Sequence, residues 1–263
     1  MTEGYGFGLF ALPVYRDARA GGARIVRHLP SLADGYLSGT VYETARAVLY
    51  VDGTTWMSTG LMERESHAFH VHEARGTMVA AGLGMGMFAF AAARKGEVER
   101  VVVVERRPDV VAVMSASTGF EDWPCRDKVT ILVADALDPE LGPLVRRATA
   151  GRRPDYLFAD IWPTCAASDS ARDTAAMVRA VDPVTAGWWG QELSFGQWCW
   201  AEGRCADQPA LAVYVRSVGV PVRITPGYAM FAADVVAAQL RETAATSVRW
   251  RERLRLLLGG RGR

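Results

Sequence analysis

The sequence predicts a doubly wound α/β fold preceded by a small β-rich lobe, and two observations carry that expectation. Near-continuous apolar runs recur from Thr77 onward, at Met78–Ala81, Val101–Val104, Val129–Val133 and Tyr156–Ala159, the pattern of parallel strands buried on both faces. Helical stretches separate the first three runs. Met87 to Arg94 is closed by Gly96, and Pro108 to Met114 opens on a proline at a helix-start position, so the order reads β-α-β-α-β-loop-β. Sheets of this kind hold their ligand at the carboxyl ends of the strands.

The N-terminal lobe rests on Ala47–Val51 and Thr54–Met57, two β-rich runs joined by Asp52-Gly53, the strongest short hairpin signal. A short helix follows from about Met62 to Ala74, with Gly76 placed to end it. This divides the chain into a lobe with linking helix over 1–75 and a sheet domain with helical additions over 76–263. Beyond Asp160, Ser168 or Asp169 is placed to cap a helix running to about Val181, Gly187–Trp200 is dense in tryptophan, and Met230 to about Leu258 reads as one or two helices. The run Arg249–Leu258 reads as a solvated helix end, its arginines favourably placed on the dipole, or as a contact for an acidic partner.

Composition sets the class. The 263 residues are 50% hydrophobic and 22% charged, which excludes a mainly disordered chain or a disulfide scaffold. A net charge of +1 provides no global field to recruit nucleic acid or an acidic membrane, so neither is expected as a partner. Four cysteines without a C-x-x-C pair, no signal-peptide pattern and no spanning apolar run lead to the expectation of a reduced, cytoplasmic protein.

The chemistry gathers at the strand ends. The first run leads into Gly82-Leu83-Gly84-Met85-Gly86 and then a helix; glycines let a ligand approach the backbone, and the helix N-terminus offers free N–H groups. Glu105, followed by Arg106, closes the second run 19 residues after Gly86, where a carboxylate can accept both hydroxyls of a ribose. Asp135, followed by Ala136, closes the third, where a side chain can face an adenine, and Asp160 closes the fourth. A nicotinamide dinucleotide site shares the glycine turn and the acidic strand end, but its third glycine would fall at Met87.

Glycine loop, Glu105, Asp135 and Asp160 together resemble a class I S-adenosylmethionine-dependent methyltransferase, and more closely its spermidine-synthase-like branch. In that branch a β-rich lobe with a D-G turn precedes the sheet, as Tyr50–Ser58 does here, and later strands resemble V-V-E-x-x-P-x-V (Val103 to Val110) and Y-D-x-I-x-x-D (Pro154 to Asp160). The resemblance covers residues 45 to 165. It implies a Rossmann-like sheet, S-adenosyl-L-methionine held by Gly82, Gly84, Gly86, Glu105, Arg106, Asp135 and Ala136, and Asp160 as the base or orienter for an attacking amine. Three positions depart from the pattern. Ala80 stands where many methyltransferases have an acid, Met85 where spermidine synthases carry the Asp that holds the aminopropyl amine, and Trp56 where they tend to carry glutamine. The missing carboxylate at 85 leads to the expectation of an enzyme that N-methylates an amine and prefers S-adenosylmethionine to its decarboxylated form. Transfer of the aminopropyl or aminocarboxypropyl arm of the same sulfonium is the first alternative, and a non-catalytic nucleoside-binding regulator the second.

For the acceptor, a small-molecule or peptide amine, Trp56, Trp162, Trp188 and Glu192 offer an aromatic, anionic wall. The duller reading of the Trp188–Trp200 cluster is a helical core, and that of Asp160 is a cap for the next segment. His67, His70 and His72 cannot share one helix face, so no metal site is expected, and a surface helix accounts for them. The sequence leaves a homodimer open.

Overall fold

The computed structural model describes residues 2–165 and 167–241. Among these, the lobe is built from β1 (Ala18–Ala20), β2 (Ala23–His28), β3 (Ser31–Asp34), β4 (Thr40–Glu43), β5 (Arg46–Val51) and β6 (Thr54–Ser58). β1-β2-β5-β6 form an antiparallel sheet, and β3-β4 a separate hairpin. Asp52 and Gly53 both have positive φ, 51° and 83°, as a tight hairpin turn between right-twisted strands demands.

The second part runs α1 (Leu61–Glu73), β7 (Gly76–Ala81), α2 (Met87–Ala93), β8 (Val98–Glu105), α3 (Pro108–Thr118), β9 (Val129–Val133), α4 (Leu141–Ala148), β10 (Tyr156–Ala159), α5 (Ser170–Val181), β11 (Thr185–Trp188), α6 (Gln191–Glu202), α7 (Gln208–Val218) and α8, a helix over 226–241. The strands pair in parallel in the order β11-β10-β7-β8-β9. The chain therefore moves outward one way from β7 and returns on its other side at β10. Strand period 2 sends alternate residues to opposite faces. Val79, Ala81, Leu157 and Ala159 join one apolar cluster, with residues of α4 to α7, while Met78, Ala80, Val101 and Phe158 join another, with residues of α2 and α3. Helices cover both faces of the central strands β7, β8 and β10, which is why these read as unbroken apolar runs, whereas the edge strand β9 leaves Thr130 and Val133 exposed.

Three expectations change. The segment before β10, read as loop, contains α4: Gly142 and Pro143 lie in its first turn, where the backbone N–H is not needed, so they do not break it. The tryptophan-dense stretch is two elements, the edge strand β11 and then α6, separated by Gly190 in the left-handed region. The last described helix starts at 226 rather than Met230, because Thr225 caps it through its hydroxyl, which accepts from the Tyr228 N–H at 3.1 Å, and Pro226 fits the first helical position. The Arg249–Leu258 run lies outside the described residues.

Candidate active site

The strand order reverses between β7 and β10, and the crevice of such a sheet opens where that reversal occurs. The Asp160 N–H donates to the Ala81 carbonyl at 2.8 Å and the Gly82 N–H to the Val104 carbonyl at 2.8 Å, so the strand ends stay in register as the chains leave the sheet. Gly82 has φ 97°, and a Cβ there would run into the Asp160 carbonyl oxygen; only glycine lets the two strand ends close to this distance.

A cavity of about 420 Å³ opens over these ends. Gly82, Gly84, Glu105, Arg106, Asp135 and Ala136 line it, as do Asp160, Trp56 and Trp162. The structure thus brings most of the sequence-nominated residues to one space. Glu105 is tied down by two backbone donors, Leu83 N–H to Oε2 at 3.0 Å and Arg107 N–H to Oε1 at 2.8 Å. That fixes its carboxylate between the glycine loop and the turn after β8. Asp135 accepts from the Leu137 N–H at 2.9 Å and stays exposed.

Three of the expected site residues, Gly86, Trp188 and Glu192, lie elsewhere, and so does Met85. Gly86 does not line the cavity; it opens α2 with φ 77°, and a Cβ there would press on Met114 and Trp123. Met85 is fully buried, in the apolar cluster that includes Ile25, Leu49 and Met57, so its side chain does not face the cavity and cannot decide which group is transferred. Trp188 is fully buried, its ring facing Tyr214 at 6.3 Å between centroids, and belongs to the core beneath α6 and α7. Glu192 is also fully buried. It accepts from the Tyr36 hydroxyl at 2.9 Å, and burial raises its pKa. Neither Trp188 nor Glu192 forms an acceptor wall, because the end of β11 and the first turn of α6 bury them in the core.

The histidines correct a second expectation. α1 is not a surface helix: His67 and His70 are 1% and 0% exposed, and Glu63, Glu65 and Glu73 are buried beside them. Hydrogen bonds offset the burial of Glu65, His67 and His70, and Glu73 has ion pairs to Arg223 and Arg75 at 3.5 and 3.9 Å. Glu65 accepts from the Leu37 and Ser38 N–H groups at 2.8 and 3.0 Å, and His70 Nδ1 meets the Tyr156 hydroxyl at 2.7 Å. His67 Nε2 lies 3.1 Å from Asp160 Oδ2, and its Nδ1 lies 2.7 Å from the Glu63 carbonyl oxygen. Burial alone would lower the His67 pKa, but the hydrogen bond and charge of Asp160, with Glu63 behind it, hold it above its ordinary value. Burial pushes the Glu63 carboxyl up to about 7 against the opposing pull of His67. No metal-holding group of three His, Cys, Asp or Glu occurs among the described residues.

Several lining residues went unnominated. Asp52 and Thr54 reach the cavity from the hairpin, and Arg107 and Val110 from the start of α3. Asp173 comes from the first turn of α5, where it accepts from the Trp162 indole N–H at 3.2 Å. Arg107 clasps Asp52 and Asp109 together, the latter at 2.7 Å. The signal for Asp52 was present in the D-G turn, and that for His67 in the histidine cluster. Asp173 had only its place one helical turn past the cap.

No protein-family model matches the chain, and no curated protein matches it. Among solved structures it is similar to a spermidine synthase from Thermotoga maritima, at 15% identity and a TM-score of 0.36 over 65% of this chain and 55% of that one. It is also similar to a probable spermidine synthase from Corynebacterium glutamicum ATCC 13032, at 13% identity and a TM-score of 0.37 over 64% and 61%, and to a conserved hypothetical protein of Streptococcus pyogenes, at 18% and 0.29 over 42% and 62%. The chain thus spans less than two thirds of the length of these proteins. The expectation of an S-adenosylmethionine-dependent methyltransferase acting by N-methylation is corrected here: the solved structures to which the chain is similar are repeatedly spermidine synthases. The chain has an α/β fold in which a five-stranded parallel sheet flanked by helices follows an antiparallel lobe.

Proposed function

We propose that the chain is a transferase that moves the aminopropyl arm of a decarboxylated sulfonium nucleoside to a small-molecule amine. The observation that carries the proposal is the charge of the cavity. Asp52, Glu105, Asp135, Asp160 and Asp173 line it, against Arg106 and Arg107. Both arginines belong to the turn after β8, beside Glu105. Arg172 touches Asp173 from outside, 70% exposed, and does not line the cavity. At the Asp160 end, Asp160 and Asp173 face the cavity, while their basic partners His67 and Arg172 do not line it. That suits a sulfonium whose arm ends in an ammonium; an arm that also carries a carboxylate would meet like charge there.

The residues divide the work. Glu105 and Asp135 would take the ribose and adenine edge, the glycine loop would let the nucleoside approach the backbone, and Trp56 and Trp162 would exclude water around the arm. Asp160, 21% exposed, would accept the proton that an amine must lose before it can attack. The nucleophile displaces a thioether, so alignment and that one proton are what the protein must supply.

Product analysis tests the proposal. Incubation with decarboxylated S-adenosylmethionine and a panel of linear diamines should release methylthioadenosine, and calorimetry should show the decarboxylated nucleoside binding more tightly than S-adenosylmethionine. Release of S-adenosylhomocysteine from S-adenosylmethionine, or no nucleoside binding at all, would overturn it.

A further inference from the structure

We infer that His67 is the positioning residue of Asp160, and that the two share one proton across Nε2 and Oδ2 which is absent when the pair is ready to take a proton from the acceptor amine. The inference rests on the transferase reading above. Its geometry does not.

Hydrogen-bond directions carry the argument. The Glu63 carbonyl oxygen, 2.7 Å from His67 Nδ1, can only accept, so Nδ1 carries a hydrogen. A neutral His67 therefore has a bare Nε2, and that nitrogen lies 3.1 Å from a carboxylate oxygen, which is also an acceptor. Two acceptors at that distance do not attract; one added proton turns the contact into a hydrogen bond. Two states follow. With the proton present, Asp160 is locked through Oδ2 and its other oxygen faces the cavity. With the proton gone, the pair is one proton short and becomes a base.

Access fixes the route. His67 is 1% exposed and Asp160 21%, so a proton on Nε2 exchanges with the cavity through Asp160. Glu63 and His70, from the same helix, and Cys165, from the loop after β10, are the other titratable groups that act on the pair. His70 is driven neutral by burial, and the Cys165 thiol is raised to about 11, so neither competes for this proton near neutrality. In the step itself Asp160 takes one proton from the acceptor's ammonium. The freed lone pair forms the new N–C bond, the C–S bond breaks with its electrons going to sulfur, and a neutral thioether leaves. The captured proton moves from Asp160 to Nε2, away from the secondary ammonium product, and returns to water through Asp160 after release.

The test has one arm that needs no substrate. Nitrogen-resolved NMR of the imidazoles in the intact protein should show His67 Nδ1 protonated throughout, with Nε2 titrating above 6.5, the ordinary histidine value; in Asp160→Asn the midpoint should drop below 6.5. A His67 midpoint that does not move in Asp160→Asn, or a bare Nδ1, overturns the shared proton. The second arm measures turnover of decarboxylated S-adenosylmethionine with a diamine. His67→Gln can still donate to Asp160 but cannot titrate, so kcat should fall on the order of 100-fold with nucleoside affinity unchanged, and the rising limb of the pH profile should move. Nucleoside consumption with wild-type kcat and pH profile in His67→Gln sinks the role of His67 alone. A titrating pair in a protein that consumes no sulfonium nucleoside overturns the transferase reading, and the role with it.

Discussion

At the scale of single residues, Glu105 and Glu63 separate binding from stability. Glu105 is held by two backbone N–H groups on the cavity wall, so Glu105→Ala removes a placed, charged acceptor. Affinity for methylthioadenosine should fall by about 10- to 150-fold, equivalent to about 1.5 to 3 kcal/mol, and calorimetry with a folded variant checks it. Glu63 does not touch the cavity. Its folded pKa of about 7 lies above the ordinary 4.5, so its stabilising contribution is full below pH 4.5 and is lost as pH rises to about 7. Above that, ionised Glu63 costs about 3 kcal/mol, which Glu63→Gln should recover at pH 8 while changing little at pH 4. Urea unfolding at the two pH values decides; equal effects at both would refute the assignment.

At the scale of elements, the hairpin turn between β5 and β6 is fastened to α3. Arg107 bridges Asp52 and Asp109, and Gly22 N–H donates to Asp109 at 3.1 Å, so one charged cluster joins the lobe to the sheet domain. These groups are partly exposed, and stability should change by less than about 1 kcal/mol in Arg107→Met. Nucleoside affinity should fall more in proportion, because Asp52, Thr54 and Trp56 of the same hairpin line the cavity. Hydrogen exchange of the β5 and β6 amides, with and without ligand, should show faster opening in the variant. Legibility also divides by element. The runs of β7, β8 and β10 are visible because burial on both faces leaves an apolar signature, β9 because it is rich in β-branched residues, and the hairpin because Asp52-Gly53 has few alternatives. α1 misled because periodicity reports polarity: Glu65, His67 and His70 look solvent-facing, and only tertiary hydrogen bonds, invisible in sequence, permit their burial. For the same reason Trp188 and Glu192 read as a ligand wall, although β11 and α6 bury them in the core. Met85 was overweighted because a loop motif fixes position but not the direction of a side chain.

At the scale of the whole molecule, function depends on two unlike sheets meeting over one cavity. The parallel strands supply Glu105, Asp135 and Asp160 from their ends, and the antiparallel hairpin closes the opposite side. No helix among the described residues is long and apolar enough to cross a membrane. Charge at the far end should govern discrimination between ligands. Asp173, 14% exposed and held by Trp162, lines that end, so Asp173→Asn should weaken decarboxylated S-adenosylmethionine by about 5-fold, equivalent to about 1 kcal/mol. Methylthioadenosine, which has no ammonium, should bind equally to both proteins, and a parallel loss for both ligands would place Asp173 outside the arm site.

The contact between Gly82 and the Asp160 carbonyl has a consequence for how such a site can diverge. Because the loop that would cradle the nucleoside and the strand end that bears Asp160 abut without room for a methyl group, they form one joint whose halves cannot drift apart independently. Selection for a new acceptor would therefore leave that joint alone and work on the exposed turn of the hairpin, Asp52 to Thr54, since Leu49, Val51 and Met57 on its strands are core. Exchange of the turn residues 52–54 alone should lower nucleoside affinity by no more than about 10-fold and change which amine is accepted, whereas any side chain at 82 should abolish both.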